Sequence, residues 1–256
     1  MKTLTRYGTL GLLVTLAACN AESTGPELTP LADLAISRDI ATQSAEAAAE
    51  DVELMGGPTG QFGFGLAASI SSGDDAPFQC GTHTRDLLTI VRTCTFKNAA
   101  GATQSGYDAT TTASAIIHAE VTGKIERENW SAEVERIRDL TVTGLAGAET
   151  SRTWNGTGTG KSTRSRHKEG TETRTYDVSC TSTRTNVVVN LPRSENRWPV
   201  SGTINRQCTI KITGGPNDGK TVERTVTITF NGTQMVPITV NGKAFTLDLK
   251  TRKVGS

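Results

Sequence analysis

The chain predicts an all-β fold: a large antiparallel meander sheet or open barrel of about ten strands, with one N-terminal α-helix. Three observations carry this. From residue 78 onward apolar side chains recur at every second position, the period of a pleated strand with one buried and one wet face. Asn-Gly and Gly-Pro pairs punctuate that alternation as turn signals. Three- and four-residue apolar spacing, the mark of a helix, lies upstream of it at 31–55.

The first segment reads MKTLTRYGTLGLLVTLAACN. Lys2 and Arg6 form a short positive region, and Leu10 to Ala18 form an apolar run too short to span a bilayer. Small residues close it, as in a secretory signal covering 1–18. The ending Leu16-Ala17-Ala18-Cys19 resembles the lipobox of bacterial lipoproteins. The resemblance implies cleavage before Cys19, diacylglycerol on its thiol and an acyl group, palmitate being typical, on its new amine. It further implies a bacterial cell-envelope protein held by its lipid rather than by a spanning helix. Asn20 stands where aspartate would favour retention at the inner membrane, so the expected site is the outer membrane. Several acyl chains meet the requirement for stable anchoring, which one chain alone does not.

Residues 19–30 are small, polar and proline-bearing, and read as a tether. Leu31 to Met55 follow as the helix, with Leu34, Ala41, Ala45, Ala48, Val52 and Met55 on one stripe and Gly56-Gly57-Pro58 as its stop. The stripe is mostly alanine, so the helix can approach a sheet closely, on one face or one edge, but buries little area. Residues 56–77 read as a linker in which Phe62, Phe64 and Leu66 alternate with glycine.

The β domain spans 78–256. Its clearest strand is 198–213, with Trp198, Val200, Ile204, Cys208, Ile210 and Ile212 on one parity. The next carries Val222, Val226, Ile228 and Phe230 against a threonine-rich opposite face. Gly214 to Gly219 form the turn between them. Asn231-Gly232 and Asn241-Gly242 suit type I′ hairpins, so 198–250 reads as a four-stranded meander. A two-residue turn at 231–232 sets Met235 and Pro237 on the apolar face, whereas the turn at 241–242 sets Val236 and Ile238 there. A bulge near Pro237 is the expected resolution. Upstream strands are expected at 87–96, 107–122, 124–135, 137–143, 150–166 and 171–190.

Without residues 1–18 the chain has 25 basic residues against 26 acidic, since only Lys2 and Arg6 are removed from the total of 27. Near neutrality argues against nucleic acid held by a broad positive field. Of five cysteines one is the lipid carrier. Cys80, Cys94, Cys180 and Cys208 remain, an even set in an oxidising compartment, and predict two disulfides with three possible pairings. The midpoint of 180 and 208 is 194, inside a loop, so Cys180 and Cys208 can face each other across neighbouring strands. Cys80 with Cys94 follows by elimination; its midpoint, Leu87, opens an apolar run and is not a simple hairpin turn.

The stretch WNGTGTGKST at 154–163 ends in Gly-Lys-Ser but is no phosphate loop. The spacing demands glycine at 155, which is Asn155, and no helical pattern follows. Asn155-Gly156 is read as a turn or bulge and Lys161 as a solvated strand residue; no nucleotide is expected. The histidines, His83, His118 and His167, are scattered. His118 reads as a half-buried strand residue and His167 as part of a basic hairpin tip. Glu133 and Glu135 share the wet face of a strand. Asp74-Asp75 and Asn217-Asp218 are sparse as calcium ligands. No catalytic set and no cofactor or metal site is assembled, and no G-x-S-x-G elbow occurs. The expected role is therefore a non-enzymatic one, structural or protein-contacting, with another envelope protein as partner. The alternative is a carrier of a lipid or other apolar ligand in the curled sheet, loosely resembling half-barrel periplasmic lipoprotein carriers in architecture alone. An enzyme ranks last.

Overall fold

The computed structural model describes residues 28–55 and 80–255, except 86, 129, 148, 167–172, 192–194 and 196. The lipobox with Cys19, Phe62, Phe64, Leu66, Asp74, Asp75 and His167 lie outside the described residues.

One helix, α1 (Pro30–Met55), precedes twelve strands: β1 (Gly81–Arg85), β2 (Leu88–Asn98), β3 (Thr103–Gln104), β4 (Thr112–Arg127), β5 (Trp130–Thr143), β6 (Ser151–Arg166), β7 (Arg174–Asn190), β8 (Ser201–Thr213), β9 (Thr221–Thr229), β10 (Met235–Val240), β11 (Lys243–Asp248) and β12 (Val254–Gly255). They form one antiparallel sheet in which each strand lies beside its neighbour in sequence, save that short β3 hangs on β2 and β4 takes the next place. The sheet is open, with β1 and β12 at its edges. The predicted meander is thus present, with two more strands than expected.

Helix α1 starts where local chemistry dictates. Thr29 caps it, accepting the Ala32 N–H on its hydroxyl at 3.3 Å, and Pro30 occupies the first helical position. Its stripe is buried as the spacing implies: Ala41, Ala45, Ala48, Val52 and Met55 are at most 2% exposed, although Leu34 is 47% exposed. Burial does not stop at one face. Ser37, Gln43, Ser44, Glu46 and Asp51 are buried too, so from Gln43 onward the helix is embedded against the sheet's inner surface. Polar side chains buried on this scale need partners on the sheet.

Several boundaries differ from expectation for physical reasons. Gly123 does not end a strand; it sits within β4 at φ 137°, where an added Cβ would come within 3.0 Å of the Leu88 Cα, and the turn falls after Arg127. Cys80–Cys94 closes a simple hairpin after all. β1 pairs with β2 from Gly81↔Arg92 to Arg85↔Leu88, because the apolar run begins at the turn with Leu87 exposed. Cys180 and Cys208 lie directly opposite on β7 and β8, Cα atoms 4.1 Å apart. Both cysteine pairs have their sulfurs at bonding distance.

The C-terminal register needs no bulge at Pro237. β9 and β10 pair Ile228↔Ile238 and Val226↔Val240, which requires a wide loop over 230–234. Asn231 there accepts the Thr233 N–H at 3.1 Å, and the Gly232 N–H is drawn to the Pro199 carbonyl at 2.9 Å. Val236 and Ile238 therefore point inward, and Met235 and Pro237 point out. The second Asn-Gly pair behaves as predicted. Asn241 at φ 46° and Gly242 at φ 78° make the two-residue turn that pairs Val240 with Lys243.

Candidate functional site

Inward positions of a half-buried strand should be apolar, and those of β10 and β11 are so apart from Lys243 at the turn: Val236, Ile238, Val240, Phe245 and Leu247. Elsewhere the inward parity is interrupted by arginine. Arg136 and Arg138 on β5, Arg164 on β6, Arg184 on β7, Arg206 on β8 and Arg224 on β9 are all buried, none more than 8% exposed. A guanidinium cannot shed its proton to escape burial, so carboxylates must come to it. Helix α1 supplies them.

Near its start, Asp33 receives Arg224 and Lys243. The Lys243 hydrogen bond holds the Asp33 carboxyl below its ordinary value; burial opposes this, and Arg224 adds to it. One and a half turns on, Asp39 accepts the Tyr176 hydroxyl at 2.9 Å and an Arg166 N–H at 3.4 Å. Burial, reinforced by the Asp39 charge, raises the Tyr176 hydroxyl above the usual phenol value. Gln43 donates to the Ser162 hydroxyl on β6. Arg164 also stacks over the Trp130 ring, 3.9 Å from its centroid, a cation–π contact.

The densest contact is at Glu50 and Asp51. Glu50 accepts from Arg136 and, at 3.3 Å, from Arg138. Asp51 accepts from Arg138 Nε on one oxygen and from Arg184 Nη2 and Nε, at 2.6 and 3.1 Å, on the other. Burial alone would raise the Asp51 carboxyl. The charges of Arg138 and Arg184 outweigh it and hold the group below its ordinary value; Arg136 and Arg138 do the same for Glu50.

The glycines of 154–163 make room for this layer. Across the strands Arg136 faces Gly160, Arg138 faces Gly158 and Arg184 faces Gly156. A Cβ on Gly158 would lie 2.6 Å from the Ile137 carbonyl oxygen and 3.2 Å from Arg184 Nη1. The β6–β7 register shifts opposite Asn155-Gly156, but the extra residue is on β7, where Asn186 at φ 48° donates its N–H to Asn155 Oδ1 at 2.8 Å. Lys161 is exposed in mid-strand.

The outer face is different in kind. Successive strands set Lys124, Glu133, Thr163, Asp177 and Lys211 in one cross-strand row, and Thr122, Glu135, Lys161, Ser179 and Thr209 in the next. These rows border an open groove of about 710 Å³. Glu133, expected on a wet face, is paired there with Lys124 at 3.2 Å. His118, half-exposed on the same side, lies between Asp139 at 2.7 Å and Glu120 at 3.1 Å, and those hydrogen bonds, Asp139 first, raise its pKa above the usual imidazole value. His83 is in β1, separated by β2 from the strand that carries His118. The Asp218 carboxylate accepts the Gly214 N–H at 2.7 Å within its turn.

Sequence reasoning missed the arginine layer, although a signal existed. Arg206 falls on the same parity as Ile204 and Cys208, and Arg224 on that of Val222 and Val226. No family model matches the chain, and no curated protein or solved structure matches it significantly.

Proposed function

We propose that the protein is a lipid-anchored component of the bacterial cell envelope, held at the outer membrane through Cys19, with a non-enzymatic structural or protein-contacting role. The observation that carries the reading is the embedded helix. A carrier keeps several hundred Å³ of apolar concavity for its ligand. Here α1 lies across the inner face, and the spaces described between its C-terminal half and the sheet are about 40 and 20 Å³. The larger groove is on the outer face and is bordered mainly by lysine, glutamate, aspartate and threonine, with Val134 and Val178 of the apolar parity set also touching it. Such a surface suits contact with a polar partner.

No helix among the described residues is long and apolar enough to cross a membrane, and the lipid supplies attachment in this reading. The eleven-residue step from Cys19 to Pro30 spans at most about 40 Å, so the helix start stays close to the bilayer. The test is native purification of the mature chain followed by mass spectrometry of the intact chain and of its extractable lipid. The expected result is covalent acyl groups on Cys19 and no stoichiometric apolar ligand. A retained ligand at one per chain contradicts the reading, and so does unchanged membrane partitioning of Cys19→Ser.

A further inference from the structure

The Glu50–Asp51 cluster is unbalanced. Among the described residues four buried guanidinium groups, Arg136, Arg138, Arg184 and Arg206, surround two carboxylates. Two of their nitrogens, Arg138 Nη1 and Arg206 Nη1, are buried without a hydrogen-bond partner. Both arginines line a cavity of about 20 Å³ closed on the helix side by Ala48 and Asp51, with Arg136 and Arg184 also in its wall.

We propose that this cavity is a binding site for a monatomic anion, chloride in the cell, held by the unpartnered N–H groups of Arg138 and Arg206. Size favours a small ligand. One water-sized particle needs roughly 10–15 Å³ of occupied volume, so the space has room for a small ion. Charge selects it further. Water would satisfy the two donors but leave the excess positive charge of the cluster in a poorly solvated interior, which is costly. An anion satisfies both. Burial, together with the neighbouring Arg136 charge, pushes the Arg206 guanidinium down to about 9, in line with a local field short of negative charge. The alanines of the helix and the glycines of β6 leave the room; larger side chains at Ala48 or Gly158 would fill it or press on its wall.

The site is structural in effect. It locks the helix end to β5, β7 and β8, independently of the role proposed for the whole protein. Because it binds the folded state alone, the ion raises stability in proportion to the logarithm of its concentration above the dissociation constant.

Two measurements on the mature chain in detergent test it. In crystals grown with bromide replacing chloride, the anomalous difference map is expected to show a halide within contact of Arg138 Nη1 and Arg206 Nη1. In solution, the unfolding midpoint in chloride is expected to exceed that in gluconate of equal ionic strength by on the order of 5 °C. R206M is expected to abolish that difference, whereas K211M on the outer face retains it. A cavity holding water in saturating bromide overturns the proposal, even if R206M fails to fold. Equal midpoints in the two salts, or a chloride effect that survives R206M, overturn it as well.

Discussion

The inner face of the sheet joins two unlike surfaces. Along β10 and β11 its inward positions are apolar save Lys243 at the turn, with Val236, Ile238, Val240 and Leu247 at 0% exposure. Along β5 to β7 it presents Arg136, Arg138, Arg164 and Arg184 to the carboxylates of α1. The first surface gains stability without direction, since apolar burial is indifferent to sliding by a turn. The second adds geometry: Asp51 meets Arg138 with one oxygen and Arg184 with the other, and sliding the helix by a turn would break both contacts. Replacing a buried ion-pair network by apolar residues is often neutral or stabilising, whereas removing one partner is severe. The contrast therefore predicts that the charged region sets the placement of the helix and the apolar region supplies most of the net stability.

Breaking the charged region should have the largest effect. Asp51→Ala leaves Arg138 and Arg184 buried without their carboxylate and is expected to cost about 3–5 kcal/mol, read as a lowered urea midpoint at unchanged slope. Acid should act on the same contact. Because the folded-state pKa values of Asp51 and Glu50 are depressed, their contribution is fully present above their ordinary values of 3.8 and 4.5 and is lost as pH falls below these. Helix-reporting signals should fail within that range, and Asp51→Ala should flatten the dependence.

The apolar region comes next. Ile238→Ala removes a fully buried side chain facing Ile228 and Phe245, and should cost about 3 kcal/mol with helix placement intact. Gly158→Ala sharpens the comparison from the sheet side. The new methyl meets the Ile137 carbonyl and Arg184, so about 1–3 kcal/mol is expected, with a change in the helix C-terminal half but not at β10 and β11.

The smallest effect lies outside both regions. His118 is raised by Asp139 and Glu120, so its small contribution is complete below the ordinary imidazole value of 6.5 and disappears as pH rises through the elevated one. An NMR titration should place its midpoint above 6.5, and Asp139→Asn should bring it down.

The apolar region was legible in the sequence and the charged one was not. Period-two alternation in 198–213 and 221–230 predicts β8 and β9, and Asn241-Gly242 gives the last hairpin its register. Where the turn is wider than its residues advertise, the register fails. Asn231-Gly232 suits a two-residue turn, yet the loop opens because Gly232 is held by Pro199, and Met235 changes face. The arginine layer escaped for another reason. Arginine on a strand is ordinarily solvated, and what makes it an inward residue is a partner far away in sequence. Glu50 lies 86 residues from Arg136, and Asp51 lies 133 residues from Arg184. Strand parity and the acids on an otherwise apolar helix together hold the clue; neither does alone. The glycines of 154–163 carried the same information, since three small inward residues in one strand must make room for something.

The central claim is that α1 is embedded in the sheet and fixed there by its carboxylates. Amide hydrogen exchange of the mature chain measures this directly. Residues 43–55 should be as protected as the centres of β8 and β9, and Asp51→Ala should strip protection from the helix before it affects β10 and β11. Rapid exchange throughout 43–55 in the unaltered protein, with the strands still protected, would contradict the account.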